Sequence, residues 1–264
     1  MKPLLLTATA TALLMAGASA FAADMAVPMV KARPVPIFNW TSCYAGLHGG
    51  GGFANKDITD PVQVVQDPLL GGPFTVGTTT LNLRPNGYLV GGQFGCDYQP
   101  LGANWVVGFE GAVSGANIQS TATVGLPLGD PGDVASVRAR IDFLASGTFR
   151  VGYAWQNLLL YVKGGAGAVS DNYIVSGVFQ AVTNPTPFNF QGLDLRIGWT
   201  AGAGVEWAFW ENWSVKLEYD YYDFGHKSVL MTDPNLTLSG PVDVRQTVQT
   251  VKLGVNVRMW ASDW

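Results

Sequence analysis

Apolar and polar residues alternate along most of the chain beyond residue 40. About eight segments of roughly ten residues or more carry apolar residues on one parity and Gly, polar or charged residues on the other. In one of them Tyr88, Val90 and Phe94 share a parity, and Gly91 and Gln93 share the opposite one. A period of two is the signature of β-strands. The pattern predicts an all-β fold: an eight-stranded antiparallel up-and-down transmembrane β-barrel.

Alternation alone does not say which face meets lipid, because a soluble barrel shows the same period with its apolar parity inside. The aromatic residues decide the question, since they cluster at the start of the first strand, the short turns and the end of the last strand. Trp and Tyr form such a girdle at a membrane interface. The apolar parity is therefore predicted to face lipid. The girdle residues are Trp40, Tyr98, Trp105, Trp155, Trp207, Trp210, Trp213 and Trp260.

The connections between predicted strands differ in length from one end to the other. In barrels of this kind short turns face the periplasm and long loops face outside. The predicted short turns are 99–104, 156–157 and 211–212, and the predicted long loops are 55–84, 116–134, 170–192 and 225–243.

The N-terminus has the layout of a secretory signal peptide. Lys2 precedes an apolar run from residue 4 to 18, which ends in the small-residue pattern around Ala20 and Ala22. No later stretch has the roughly 18 apolar residues that a membrane helix needs. We therefore expect three parts: a signal peptide at 1–22, a Pro-rich periplasmic linker at 23–39 and the outer-membrane barrel domain at 40–264.

The composition fits a surface that is largely in contact with lipid. Charged residues make up only 13% of the chain, which is low for a water-solvated surface. The net charge of −4 is too mild to indicate nucleic-acid binding. The expected partners are outer-membrane lipids and lipopolysaccharide, with the barrel-assembly machinery during insertion. The expected location is the outer membrane of a Gram-negative bacterium.

Charged residues on the inward parity form the main candidate site. The interior of an eight-stranded barrel is only wide enough for side chains, and unpaired buried charges are costly. We therefore predict a structural ion-pair core, with a narrow polar channel and a catalytic cluster as alternatives. The predicted core residues are Glu110, Asp142, Arg150, Lys163, Arg196, Glu206, Lys216, Glu218, Asp220, Lys252 and Arg258, and Arg140 shares their parity.

Cys43 and Cys96 form an even pair in an exported protein and map near the periplasmic ends of neighbouring strands. We predict a disulfide between them, with Cα atoms roughly 4.4 to 6.8 Å apart. Two unpaired thiols are the alternative.

Several stretches resemble the porin-family outer-membrane β-barrel proteins of alphaproteobacteria. They are 40–46, 91–98, 198–209 and 215–225, and the resemblance covers nearly the whole mature chain, with weak matching in the long loops. It implies an abundant eight-stranded barrel without an agreed biochemical activity. Members usually end at an aromatic residue of the last strand, whereas Met259 occupies that position here. The assembly signal is then read from Trp260 or Trp264.

The resemblance also raises a haem or metal hypothesis, because some relatives bind hemin. His48 lies in the first predicted strand and His226 in the last long loop, so we expect ordinary polar roles and no cofactor or metal site. No Ser, His and acid set falls at one rim, so we expect no enzyme.

The sequence therefore predicts an integral outer-membrane barrel of structural and surface role, which stabilises the membrane and exposes long extracellular loops. A narrow passive diffusion channel is the alternative. Hemin or ligand binding and lipid modification are less favoured.

Overall fold

A computed structural model describes residues 38–60, 63–67, 72–76, 79–125, 134–180, 185–233 and 238–259. The predicted signal peptide, most of the predicted linker and residues 260–264 lie outside this part. Within the described residues, no helix is long and apolar enough to cross a membrane.

The regular elements in the described part of the chain are β-strands. They are β1 (Ser42–Asp60), β2 (Gln63–Asp67), β3 (Gly72–Val76), β4 (Thr79–Leu83), β5 (Asn86–Tyr98), β6 (Trp105–Gly125), β7 (Val134–Trp155), β8 (Leu158–Gln180), β9 (Pro185–Ala208), β10 (Trp213–Asp233) and β11 (Leu238–Met259).

Eight of these strands close into a ring. β1 and β5 to β11 pair antiparallel in sequence order, and β11 pairs back with β1. β4 continues beside β1 beyond the end of β5, opposite residues 56–60, and β2 pairs with β3 in a separate hairpin. The predicted all-β, eight-stranded, antiparallel up-and-down barrel is confirmed.

The two faces of the wall have opposite polarity. Phe149 and Leu253 are 78% and 59% exposed, whereas their sequence neighbours Arg150 and Lys252 are buried. A soluble barrel hides its apolar parity, and this one displays it. The outer surface is therefore suited to lipid, and the buried charged side chains of the wall point into the interior.

Four residues of the predicted aromatic girdle lie on the outer wall, beside the short turns. Trp105, Trp155, Trp207 and Trp213 are exposed on the outer wall, and Trp260 lies outside the described residues. A second set of exposed aromatic residues, which the sequence analysis did not predict, lies towards the other end of the wall. It contains Phe53, Tyr88, Trp199 and Tyr219. Two such rings mark the two interfaces of a membrane.

Trp40 departs from the predicted girdle, because its side chain is fully buried. Its indole N–H donates to the carbonyl of Gln156 at 3.2 Å, and Arg258 donates to the Trp40 carbonyl at 3.1 Å. Trp40 precedes β1, so its side chain turns under the barrel and closes the mouth at the short-turn end.

The strands extend much further than predicted at the opposite end. β8 continues to Gln180 and β9 begins at Pro185, so most of the predicted loop 170–192 is strand. The predicted loops 116–134 and 225–243 are likewise largely strand, and 55–84 contains parts of β1 to β4. The ladders simply continue above the girdle. The short turns 99–104 and 156–157 agree with the prediction, and the third is two residues longer than predicted, at 209–212.

Cys43 and Cys96 are directly opposed in the β1–β5 ladder and form the predicted disulfide. Their Cα atoms are 3.9 Å apart, closer than the predicted range. Both lie on the outward parity near the short-turn end. The bond ties the first strand of the ring to its neighbour.

Replacement of Leu253 by Arg tests which face meets lipid. It places a charge near the middle of the apolar band, so we expect folding into bilayers to weaken by about 2 to 4 kcal/mol. Gln249→Arg is the matched control on the same face of β11. Because Gln249 lies nearer the interface, the expected loss is about 0 to 1 kcal/mol. Urea titrations in phosphatidylcholine vesicles measure both, and equal losses would contradict a lipid-facing outer wall.

The double variant Cys43→Ser/Cys96→Ser tests the disulfide. Without the cross-link the unfolded chain regains loop entropy over a separation of 53 residues, so we expect a loss of about 2 to 4 kcal/mol. The ladder remains, so the barrel is expected to fold. Urea midpoints of the variant and of the reduced parent protein should agree. If both equal the midpoint of the oxidised parent protein, the disulfide does not stabilise the barrel.

Candidate functional site in the barrel lumen

Ten charged side chains meet inside the part of the barrel nearer the short turns, which we take as its lower part. We call them the lower charged layer. Five are acids and five are bases, so their formal charges cancel. None has a side chain more than 3% exposed, which places the whole layer out of contact with bulk water. Its members are Asp97, Glu110, Arg150, Lys163, Glu206, Lys216, Glu218, Asp220, Lys252 and Arg258.

Two arginines organise the half of this layer nearest the short turns. Arg150 donates to both carboxylate oxygens of Asp97, with Nε at 2.7 Å from Oδ1, and lies 3.2 Å from Glu206. Arg258 contacts the same two acids at 3.3 and 3.1 Å. Each acid is thus shared by two guanidinium groups. The planar forks of arginine suit this kind of sharing.

Two lysines organise the other half. Lys163 lies 2.7 Å from Glu218 and 3.1 Å from Asp220. Lys252 lies 2.9 and 2.6 Å from the same acids. Four alternating charges therefore form a closed square in the middle of the lumen.

Glu110 joins the two halves. Lys216 donates to it at 2.7 Å, and Tyr44 Oη donates to it at 2.7 Å. A second tyrosine, Tyr161, donates to Glu218 at 2.8 Å. Gly204 on the facing strand leaves space for the Tyr161 ring, because a Cβ at this position would lie 2.5 Å from the Tyr161 hydroxyl.

Burial explains why so many partners are required. A carboxylate or ammonium loses several kcal/mol of hydration on leaving water, and recovers it only when it is paired and hydrogen-bonded. In the lower charged layer each charge has at least one opposite partner within 4 Å. The arrangement is suited to filling and fixing the lumen.

Apolar side chains lie above and below this layer. Along the inward face of β8, Lys163 is followed by Val169 and then by Asp171, and Val169 belongs to a buried cluster. The other members of that cluster are Ala54, Leu89, Ala116, Ile118, Ile141, Leu144, Tyr222, Phe224 and Val248. On the short-turn side of the layer, Trp40 belongs to a second buried cluster with Val106, Ala154, Leu159, Tyr161 and Ala208. The charged layer is therefore enclosed at both ends.

A second set of charges, the upper charged layer, lies beyond the apolar cluster. Lys56 pairs with Asp171 at 2.7 Å, and both side chains are fully buried. Arg196 pairs with Asp194 at 2.5 Å and donates to the carbonyl of Val244 at 2.7 Å. In these two pairs, as in the lower charged layer, each buried charge lies beside an opposite charge.

The wall is interrupted beside this upper layer. The β9–β10 ladder stops at Trp199–Asp223 and resumes at Gln191–Thr232. Across the gap, Lys227 of β10 donates to Asp194 at 2.5 Å and to the carbonyl of Leu195 at 2.8 Å. A side chain thus replaces the missing backbone pairing.

The structure places ten of the eleven predicted core residues inside the barrel. Asp142 is the exception, and its assignment to the core is wrong. It is 37% exposed and pairs with Arg140 at 2.6 Å. A bulge explains the difference: β7 shifts register against β8 between Ile141 and Phe143, so the inward parity changes there.

Four further acids and bases are buried that the sequence pattern did not predict, namely Asp97, Lys56, Asp171 and Asp194. Asp97 was on the polar parity of its predicted strand but was not counted. Lys56 and Asp171 fell in predicted loops, and Asp194 lay just before the predicted start of its strand. Their signal was the same alternation, carried past the assumed strand ends.

The two histidines do not come together. His48 is buried, with Nε2 2.7 Å from Ser114 Oγ and Nδ1 beside Gln93. His226 is exposed and lies 3.7 Å from Asp243. The described residues contain no group of three or more His, Cys, Asp or Glu placed to hold a metal.

The contact between His48 and Ser114 was not predicted. Such a pair is a component of nucleophilic catalysis, but Ser114 is 3% exposed and faces the packed lumen. The pair is suited to satisfying buried polar groups.

Comparison with known proteins places this architecture among outer-membrane proteins. A family model described as an outer membrane protein β-barrel domain matches residues 8–258. The 31 kDa outer-membrane immunogenic protein of Brucella melitensis biotype 1 is 27% identical over 269 residues, covering 98% of this chain and 100% of that protein. The 25 kDa outer-membrane immunogenic protein of Brucella abortus biovar 1 is 28% identical over 261 residues, covering 96% and 95%.

Solved structures with a similar course of the chain are more distant. The outer membrane protease OmpT from Escherichia coli has a TM-score of 0.44 at 10% identity, covering 84% of this chain and 98% of that one. The outer membrane protein OprG from Pseudomonas aeruginosa has a TM-score of 0.44 at 12% identity, covering 84% and 99%.

Replacement of Glu218 by Gln tests the lower charged layer. It leaves Lys163 and Lys252 with one acid fewer and gives the layer an unbalanced positive charge, so we expect a loss of about 3 to 5 kcal/mol. Asp142→Asn is the matched control, because it breaks an exposed pair worth about 0 to 1 kcal/mol. Urea unfolding in detergent micelles, followed by tryptophan fluorescence, measures both.

A second substitution separates charge balance from lost contacts. Adding Lys252→Met to Glu218→Gln restores neutrality, so the double variant should lose less stability than the two single variants summed. Strict additivity would contradict a coupled network.

Proposed function

Because the chain belongs to the outer-membrane β-barrel protein family, we propose that it is a non-enzymatic structural protein of the outer membrane. It spans and stabilises the membrane and presents the extended ends of its strands at the cell surface. The two relatives from Brucella described above are named outer-membrane immunogenic proteins. The strands of this chain extend beyond the apolar band, and these extensions form its surface outside the cell.

The observation that carries this proposal is the filled lumen. A solute moving along the axis meets Trp40 at one mouth, then the interlocked lower charged layer, then the apolar cluster around Ile118 and Val248. An ion crossing that apolar cluster would lose its hydration without gaining a partner. These obstacles favour a structural role over the passive diffusion channel.

The proposal that the protein is not an enzyme rests on access. Ser114 and His48 are enclosed in the lumen, and His226 is exposed with its ring nitrogen 3.7 Å from Asp243. The proposed partners are the lipids and lipopolysaccharide around the barrel, and the assembly machinery that inserts it. Neither requires a cofactor.

Conductance in planar lipid bilayers tests this role. The purified protein, shown to be folded by a shift in gel mobility on heating, is expected to give no stepwise conductance, because buried side chains of the described residues fill the lumen. A trimeric porin reconstituted in the same way is the positive control. Reproducible steps from the folded protein would favour the diffusion channel, and recovery of the protein in the soluble periplasmic fraction would contradict the membrane location.

A further inference from the structure

A groove of about 470 Å³ opens on the outer wall where β10, β11, β1 and β4 lie side by side. We call it the outer-wall groove. Most of its lining is polar. The lining residues are Asn55, Asp57, Asn82, Leu83, Arg84, Tyr221, Arg245 and Thr247.

The groove faces away from the lumen. Asp57 and Arg245 are exposed, whereas the adjacent Lys56 and Gln246 are fully buried. Asp57 is opposite Arg245 in one ladder and opposite Asn82 in the other. These side chains therefore lie in one row across the outside of the barrel.

The groove lies at the outer edge of the apolar band. At about 3.3 Å per residue and a tilt of about 40°, β11 rises about 30 Å from Val257 to Arg245, slightly more than the roughly 25 Å of such a band. Tyr221, in the lining of the groove, is in ring contact with Trp199, which belongs to the second set of exposed aromatic residues, with ring centroids 5.5 Å apart. This is the level at which lipid headgroups lie.

Two arginines in the groove are available to a ligand. Arg84 and Arg245 are exposed, and within the described part of the chain neither guanidinium has an ion-pair or hydrogen-bond partner. The other exposed arginines of the wall differ. Arg138 donates to Gln119 at 2.5 Å, and Arg140 pairs with Asp142 at 2.6 Å.

We propose that the outer-wall groove binds a phosphate-bearing headgroup of lipopolysaccharide in the outer leaflet. Guanidinium groups present planar forks of donors that match phosphate oxygens. With Asp57 in the same row, the groove keeps one net positive charge. Asn55, Asn82 and Thr247 supply neutral donors and acceptors at the depth of a glycolipid sugar. This inference rests on the proposed role as an outer-membrane protein and names its lipid partner.

Binding of purified lipid A to the folded protein in detergent micelles tests the proposal. Bisphosphorylated lipid A is expected to bind about tenfold more weakly to Arg84→Gln/Arg245→Gln than to the parent protein, because two charge-assisted contacts are lost. Arg138→Gln/Arg140→Gln is the matched control. It removes the same number of arginines from the wall, but from side chains already engaged, and is expected to change the affinity by less than about twofold.

The choice of ligand is tested in the same assay. Lipid A without its phosphates is expected to bind the parent protein and the Arg84/Arg245 variant equally, and phosphatidylglycerol and sodium phosphate are expected to bind more weakly than bisphosphorylated lipid A. Equal losses in both double variants would overturn the site in favour of general electrostatic attraction. Sodium phosphate competing as well as lipid A would overturn the lipid as ligand.

Folding is checked for each variant by its heat-dependent gel mobility, and both pairs are exposed, so the barrel is expected to form. The outcome is independent of the conductance experiment, because the groove lies outside the lumen. A conducting barrel that binds lipid A would contradict the structural role and leave the groove intact.

Discussion

The ladder between β1 and β11 is the interaction on which the rest of this structure depends. It joins the first and last strands of the ring, so no strand edge is left in the hydrocarbon, where an unpaired backbone group finds no water. Closing eight strands also fixes a diameter at which the interior holds side chains and little else. Every inward residue must therefore pack against, or bond to, another inward residue. This requirement accounts for the charged layers without reference to any substrate.

The alternation of apolar residues with Gly, polar or charged residues also affects the chain before it folds. A sequence with Gly, polar or charged residues at every second position contains no long apolar run. Such a chain is a poor candidate for insertion as a membrane helix during export. The same alternation then supplies the lumen with acids and bases, which are stable there only as balanced sets. The cancelling charges of the lower layer are thus a condition of burial.

The sequence predicts those parts of the barrel that follow from a period of two. Arg150, Lys163 and Glu218 lie inward because their strands alternate without interruption. Asp142 does not, because one extra residue reverses the parity of β7, and no local feature of the sequence marks that bulge. Trp40 was misplaced for another reason: it precedes the first ladder, so alternation says nothing about its side chain. Partner choice within the lumen depends on strand stagger, which sequence spacing leaves undetermined.

The enclosed lumen also limits where this protein can meet other molecules. Its buried charges cancel within each layer, so they contribute little field outside the wall. The charges that a lipid or a protein encounters are those that point outward above the apolar band, as Arg84 and Arg245 do. The bulge at Asp142 likewise turns Arg138 and Arg140 outward above the apolar band, since an uninterrupted β7 would direct them into the lumen. A single inserted residue therefore converts lumenal charges into surface charges, while the ladders on both sides of β7 remain paired.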